Sequence, residues 1–353
     1  MRLLKKLYEI SSPSEHEKRM RKFIISILRG ADIPYYVDKI GNVYATKGKS
    51  KTYPCIVSHI DEVHDFHKKG YEIVVHGDVI FGLNANTMSY EGIGADDKNG
   101  IWVCLKALSE FEVLKCAFFV SEEIGCIGSS DADMEFFKDC RFVLQCDRKG
   151  SSDFITCASF TELCSEEFTN AVEMDKFGYK EANGMMTDVM TLKGNGLGVS
   201  CCNISCGYYN PHTSNEMTRF SELQNCYEFV KHIITNCTSV YSHKHTSYTK
   251  SYGSYYQRSV IFSDFNWRKD ARTGRWTIDD APAGMRQTSK EDEEQDAVDE
   301  EYVSMASLME EKALNDPEKF SLEEFITSYS EYYPNLIRSD FERSCTELTG
   351  VTY

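Results

Sequence analysis

The sequence predicts an α/β fold, a mostly parallel central sheet flanked by helices, and three features lead there. Short apolar runs recur at 55–57, 117–120 and 142–144, the pattern of strands covered on both faces. Between the first two lies 99–111, with Ile101, Leu105 and Leu108 at helical spacing. Strand, helix, strand is the order that builds parallel sheets, because a parallel connection needs a crossover.

The elements follow in chain order. Residues 15–29 carry Met20, Phe23, Ile24, Ile27 and Leu28 at the spacing of an amphipathic helix. Residues 35–46 alternate like a strand pair around Gly41-Asn42. After the three apolar runs, 153–157, 161–177 and 188–194 read as sheet and helix, and 199–206 as a further strand. From about 246 the texture changes. Residues 265–267 and 275–277 look like a hairpin around Thr273-Gly274, an acidic run fills 291–301, and helices are expected near 302–314 and 321–331. The expected domains are therefore a main domain over 1–245, a linker over 246–301 and a short helical segment over 302–353. Trp267 and Trp276, in otherwise polar surroundings, lead to the expectation that this C-terminal region covers a site on the main domain.

Composition narrows the function classes. The chain has 353 residues, 41% of them hydrophobic, enough to bury a sizeable core. A net charge of -16 and the absence of a basic run argue against a nucleic-acid partner. No apolar window approaches a membrane span, and the start, Met1-Arg2-Leu3-Leu4-Lys5-Lys6, lacks a signal-peptide core. The 14 cysteines are scattered singly through strand-like segments, with no C-x-x-C pair. Reduced, buried thiols in a cytoplasmic protein are expected.

The chemistry lies at the ends of the apolar runs. Residues 55–58 lead into His59-Ile60-Asp61, residues 117–121 into Glu122-Glu123, and residues 142–146 into Asp147. Residues 199–206 lead, through Gly207 to Pro211, into His212, and Asp96 sits in a glycine-rich turn before the helix at 99–111. In open α/β sheets, ligands bind at the carboxyl ends of the strands. Neighbouring parallel strands would bring these side chains to one rim, and imidazoles with carboxylates suit borderline divalent cations. Each piece alone is weak, since Glu-Glu after a strand is usually surface charge. The ordered set is far more specific.

In order, His59-Ile60-Asp61-Glu62-Val63, Gly94-Ala95-Asp96-Asp97-Lys98-Asn99-Gly100, Ser121-Glu122-Glu123-Ile124-Gly125, Asp147 and Pro211-His212-Thr213 resemble the metal-site motifs of the zinc peptidase superfamily. That group includes peptidase T, carboxypeptidase G, the glutamyl aminopeptidases and the single-domain zinc aminopeptidases. The resemblance covers roughly residues 8–235. It implies a zinc-peptidase-like catalytic domain with two divalent metal ions, zinc first and cobalt or manganese as alternatives. Asp96 would bridge the metals, His59 and Asp147 would complete one site, and Glu123 and His212 the other. Glu122 would be the general base, taking a proton from a water the metals share, and Asp61 would orient the imidazole of His59. Glu122 and Glu123 diverge on a regular strand, so both reach one site only if the backbone turns there, and Gly125 permits a turn.

The implied activity is hydrolysis of peptide bonds by an aminopeptidase or di/tripeptidase acting on short peptides. The alternatives are removal of the acyl group from N-acyl amino acids, and a non-catalytic binding protein on the same fold. Many relatives insert a second domain, but His59 and Asp96 are 37 residues apart and Asp147 and His212 are 65 apart, which leaves room for neither insertion. Among residues near the motifs, His64 and His67 read as loop histidines on a charged surface, and Asp97 as a surface or capping carboxylate. Asp188 reads equally as a helix cap or as a group ordering the site, and Tyr208 and Tyr209 as pocket or packing residues.

Overall fold

The computed structural model describes residues 1–159 and 161–244 and two short strands farther on. The chain divides into two compact units, Met1–Gly253 and Ser254–Tyr353. In the second, Trp267–Lys269 and Trp276–Ile278 pair antiparallel. The acidic run, the two C-terminal helices and the expected cover over the site lie outside the described residues.

The first unit opens with helices α1 (Arg2–Tyr8) and α2 (Lys18–Gly30) and strands β1 (Tyr35–Val37), β2 (Val43–Lys47) and β3 (Tyr53–His59). Strands β4 (Tyr71–His76), β5 (Val79–Asn84) and β6 (Ser89–Glu91) come next. They are followed by α3 (Ala95–Glu110), β7 (Leu114–Phe119), α4 (Ile127–Ser130) and β8 (Cys140–Arg148). The order then runs β9 (Asp153–Ala158), β10 (Thr161–Glu162), α5 (Glu166–Ala171), β11 (Lys180–Gly184) and α6 (Asp188–Gly194). Strands β12 (Cys201–Ser205), β13 (Tyr208–Tyr209) and β14 (Met217–Arg219) and helix α7 (Phe220–Asn236) complete it.

The main sheet has nine strands in the order β1-β2-β7-β3-β8-β12-β9-β10, with β11 also paired to β9. Its centre, β7-β3-β8-β12, is parallel throughout. Antiparallel pairs β1–β2, β2–β7, β12–β9 and β9–β10 extend it on both sides. The apolar runs are central strands because both of their faces are covered. Ile56, Cys116, Phe118, Phe142 and Leu144 enter one buried cluster with α1, α2, α3 and α7. The alternate residues Cys55, Val57, Ala117, Phe119 and Val143 enter a second cluster with Val189 and Leu192 of α6. Period-2 alternation thus feeds two cores, one on each side of the sheet.

Helix α2 buries Met20, Ile24 and Leu28, one stripe of the expected amphipathic helix. Residues 71–91 were not anticipated as strands. Strands β4, β5 and β6 form a small antiparallel sheet with β13 and β14, in the order β13-β14-β5-β4 with β6 on β5. It joins the segment before Asp96 to the strands on either side of His212 within the same unit. No described helix is long and apolar enough to cross a membrane. The cysteines from Cys55 to Cys237 are free thiols, most of them buried.

Candidate active site

Register brings the strand ends together. His59, the last residue of β3, lies level with Phe119 of β7, two residues before Ser121. Val57 lies level with Gln145 of β8, so Asp147 is the next residue of β8 on the face that His59 shares. Asn203 of β12 lies level with Gln145, and the chain then passes through β13 to His212. Asp96 enters from the start of α3, where Gly94 is left-handed (φ 59) and a Cβ would meet the buried carboxylate of Glu62. The Asp96–Asp97 peptide bond is cis.

The sequence-predicted residues converge on one another. His59 Nε2 lies 3.1 Å from Asp96 Oδ1 and 3.6 Å from Asp147 Oδ1. His212 Nε2 lies 3.3 Å from Asp96 Oδ2 and 3.1 Å from Glu123 Oε2. The two oxygens of Asp96 therefore face two different histidine–carboxylate sets. His59, Asp96 and Asp147 form one group able to hold a cation, and Asp96, Glu123 and His212 form another, with the donor atoms of each group within 4.8 Å of one another.

The turn after β7 lets Glu122 and Glu123 share this site. It begins at Ser121, four residues before Gly125, which also has positive φ (113). Ser121 is itself left-handed (φ 55), a strain of about 1–3 kcal/mol for a residue with a side chain. The strain is held on two sides. Glu17 accepts hydrogen bonds from Ser121 N–H (3.1 Å) and its hydroxyl (2.9 Å). Asp61 accepts from the N–H groups of Glu122 (2.9 Å) and Glu123 (3.1 Å) and from the Ser14 hydroxyl (2.7 Å). Asp61 also places its backbone oxygen 3.0 Å and a carboxylate oxygen 3.4 Å from His59 Nδ1. Asp61 thus fixes both the imidazole and the glutamate turn, and is itself buried.

Three groups that the motifs did not reveal hold the ligand-type side chains. Gln145 Nε2 donates to Asp147 (3.0 Å) and Asp188 (3.1 Å), while its oxygen accepts from the Thr187 hydroxyl (2.6 Å) and Val189 N–H (3.1 Å). Asn203 bonds the backbone N–H (2.9 Å) and carbonyl (2.9 Å) of Asp147. Glu216 accepts from Asp96 N–H (3.2 Å) and pairs with His64 Nε2 (3.0 Å). A polar residue inside an apolar strand was the available signal for Gln145 and Asn203. Glu216 had none.

Several readings are corrected. His64 and His67 are not surface loop histidines. His64 is held by Glu216, and His67 stacks on Tyr71 at 3.6 Å between ring centres. Asp97 is not a surface carboxylate, because it is fully buried. It caps within α3, accepting from Gly100 N–H (2.9 Å), and also accepts from the Ser58 hydroxyl (2.6 Å). Asp188 begins α6 and is tied to Gln145 rather than to the helix's own N–H groups. Tyr208 lines the cavity beside Asp147, whereas the Tyr209 hydroxyl turns to Glu222.

The electrostatics show a buried excess of negative charge. Burial pushes the carboxyls of Asp147 and Glu122 well above the usual range. Burial and the charge of Asp96 push Glu123 up to about 7. Asp96 goes the other way, because the His212 and His59 imidazoles overcome its burial and hold its carboxyl well below the usual range. Asp96 and Glu123 in turn push His212 up to about 11. Imidazole protons here stand where a stronger positive charge fits. Glu123 Oε1 is buried with no hydrogen-bond partner. Oxygen and imidazole donors in two sets sharing one carboxylate make a donor environment suited to divalent cations. The adjoining cavity, about 250 Å³, is lined by both glutamates, Asp96, Arg148, Met185 and Tyr208 among others.

No family model matches the sequence. Among solved structures the chain is similar to the aminopeptidase PepT of Bacillus cereus, at 16% identity and a TM-score of 0.53, covering 67% of this chain and 97% of that one. It is similar to a TET aminopeptidase from a marine sediment archaeon of the Thaumarchaeota, at 14% identity and a TM-score of 0.53, covering 66% and 96%. It is also similar to an aminopeptidase of Desulfurococcus kamchatkensis, at 16% identity and a TM-score of 0.51, covering 68% and 97%. A curated relative, a putative LysW-lysine/LysW-ornithine hydrolase of Pyrococcus abyssi, is 32% identical over 83 residues, which span only 23% of this chain and 23% of that protein. The resemblance read from the motifs holds for the fold: the chain has the α/β fold of these aminopeptidases.

Proposed function

We propose that this chain is a metal-dependent hydrolase of peptide bonds, an aminopeptidase or di/tripeptidase acting on short peptides in a reducing compartment such as the cytoplasm. The observation that carries the reading is Asp96, whose two oxygens face His59 with Asp147 on one side and His212 with Glu123 on the other. His59, Asp96 and Asp147 would hold one cation, and Asp96, Glu123 and His212 a second, zinc before cobalt or manganese. When bound, the two cations supply Lewis acidity, which acidifies water and polarises a carbonyl oxygen.

The chain's own residues do the rest. Glu122 lines the cavity beside Asp96 and His212, and burial raises its carboxyl above the usual range; its position makes it the general base. It takes a proton from the attacking water, holds it, and delivers it to the leaving amine. Asp61 fixes both the turn that carries Glu122 and the ring of His59. Gln145 and Asn203 keep Asp147 in place. The cavity, about 250 Å³, accommodates the end of a peptide rather than a folded chain.

The test uses chelator-treated, reloaded full-length protein and a pool of short peptides, half with free and half with acetylated amino termini, plus N-acyl amino acids. Chelator-sensitive removal of single N-terminal residues from the free peptides alone is expected. Release of acyl groups instead would replace the peptidase reading with an amidohydrolase, and no turnover with cations bound would leave a binding protein. Glu122→Gln should lower turnover by about 10²–10⁴-fold while the protein, reloaded with two equivalents of cation, retains both by elemental analysis.

A further inference from the structure

Next to the two histidine-containing sets lies a third group that the reaction does not absorb. Donor atoms of Glu122, Cys126 and Asp188 lie within 4.8 Å of one another. Cys126 Sγ is 3.3 Å from Glu122 Oε1. Cys126 is 1% exposed and Asp188 is fully buried. Asp188 Oδ2 accepts from Gln145 (3.1 Å), but Asp188 Oδ1 is buried with no hydrogen-bond partner. The neighbouring Ser129 hydroxyl bonds the Cys126 carbonyl at 3.3 Å and also favours the charged form of Asp188, so Asp188 is held by Gln145 and Ser129 and by no cationic side chain. Neither Glu122 nor Asp188 forms an ion pair with a Lys or Arg among the described residues.

A buried carboxylate oxygen without a well-placed donor is costly, and a second carboxylate alongside raises the cost. Two divalent cations held through Asp96 offset the carboxylates of Asp96, Asp147 and Glu123 with one positive charge to spare, and leave the pair Glu122 and Asp188 net negative when both are ionised. One sulfur and two carboxylate oxygens make a three-ligand set with an open fourth position, which a tetrahedral ion completes with solvent. The sulfur selects the ion, because thiolate favours zinc or cadmium over magnesium or manganese.

We propose that Glu122, Cys126 and Asp188 form a third, inhibitory site for a thiophilic divalent cation, zinc in the first place. On binding, the Cys126 thiol loses its proton to solvent and both carboxylates ligate as anions, with no change of oxidation state. Glu122 is then a ligand and no longer free to take a proton. The inhibitory consequence rests on the reading of Glu122 as the base, whereas the binding does not.

The test titrates chelator-stripped full-length protein with cobalt(II) and follows the near-ultraviolet thiolate-to-cobalt charge-transfer band. The first two equivalents meet only nitrogen and oxygen donors, so the band should grow with the third equivalent and be absent from Cys126→Ser and Cys126→Ala. In parallel, peptide hydrolysis should rise with zinc, then fall at excess zinc or cadmium but not at excess manganese. In both variants the inhibitory midpoint should move up by at least about tenfold. A missing band, or variants inhibited at the same zinc concentration as the parent, overturns the site. A Cys126-dependent band in a protein that hydrolyses nothing keeps the site and sinks the peptidase reading. Hydrolysis with neither band nor excess-zinc inhibition does the reverse.

Discussion

The two halves that meet at Asp96 are held in different ways. His59 is 1% exposed, sits at the end of a central strand, and has both ring nitrogens engaged. His212 is 51% exposed, sits in the loop between β13 and β14 on left-handed backbone (φ 63), and engages its neighbours through Nε2 alone. Sheet register and hydrogen bonds prepare the first half before any ligand arrives, whereas the second depends on a loop. Preorganisation lowers the cost of binding, so the His59 half should fill first and hold more tightly. The open half is where solvent and substrate enter.

The largest expected effect lies beneath the buried half. Glu62, next to Asp61, pairs with Lys98, two residues beyond Asp96, at 2.9 Å, and both side chains are at most 2% exposed. Lys98→Met strands a buried carboxylate and should destabilise the protein by about 3–5 kcal/mol in urea unfolding. Ser214→Ala, on the exposed loop of the open half, should stay within about 0.5 kcal/mol. Equal losses would erase the distinction between the halves.

Cation affinity provides the next comparison. His59→Ala and His212→Ala should each lose one of two cations, by competition with a chromophoric chelator, and the cation that survives should be held more tightly in His212→Ala. Asp61→Asn should weaken binding by about 10–100-fold, the range for partners that orient a ligand. It should also lower turnover, because the same carboxylate holds the N–H groups of Glu122 and Glu123. An Asp61→Asn protein with unchanged affinity would show that the His59 ring is fixed by the backbone carbonyl alone.

The buried half was the more legible in the sequence, for the same reason that it is rigid. His59 and Asp147 each follow an apolar run, as Glu123 of the open half also does, and a run covered on both faces declares a central strand and hence its end. His212 was legible only through its motif. Gln145 and Asn203 lie inside strands without a motif to mark them, yet they are the clamps on Asp147. Glu216 meets Asp96 across 120 residues, and no local pattern encodes such a contact. Strand β4 was missed because its burial alternates only weakly around exposed Glu72, Val75 and His76. The burial of His64 and His67 likewise comes from neighbours distant in sequence.

Those two histidines lie on the loop that leaves the buried half, and His64 reaches Glu216 beside the open half. They link stability to pH with opposite signs. Burial lowers His67 from 6.5 to about 2. Below pH 6.5 the unfolded chain therefore binds a proton that the folded one refuses, and stability falls by about 1.4 kcal/mol per pH unit as pH drops. Burial acts on His64 too, but the Glu216 carboxylate outweighs it and raises the imidazole above 6.5. Its contribution is complete below 6.5 and is lost as pH rises through the raised value. His67→Phe keeps a ring against Tyr71 and cannot titrate. Between pH 7 and pH 5, in chelator, urea unfolding of His67→Phe should lose about 2 kcal/mol less than the parent. His64→Gln should differ from the parent in the opposite direction, gaining no stability on acidification through its own site. Parallel pH profiles for parent and His67→Phe would mean that the loop opens before His67 is protonated, and that the link between the halves is looser than the distances at Glu216 imply.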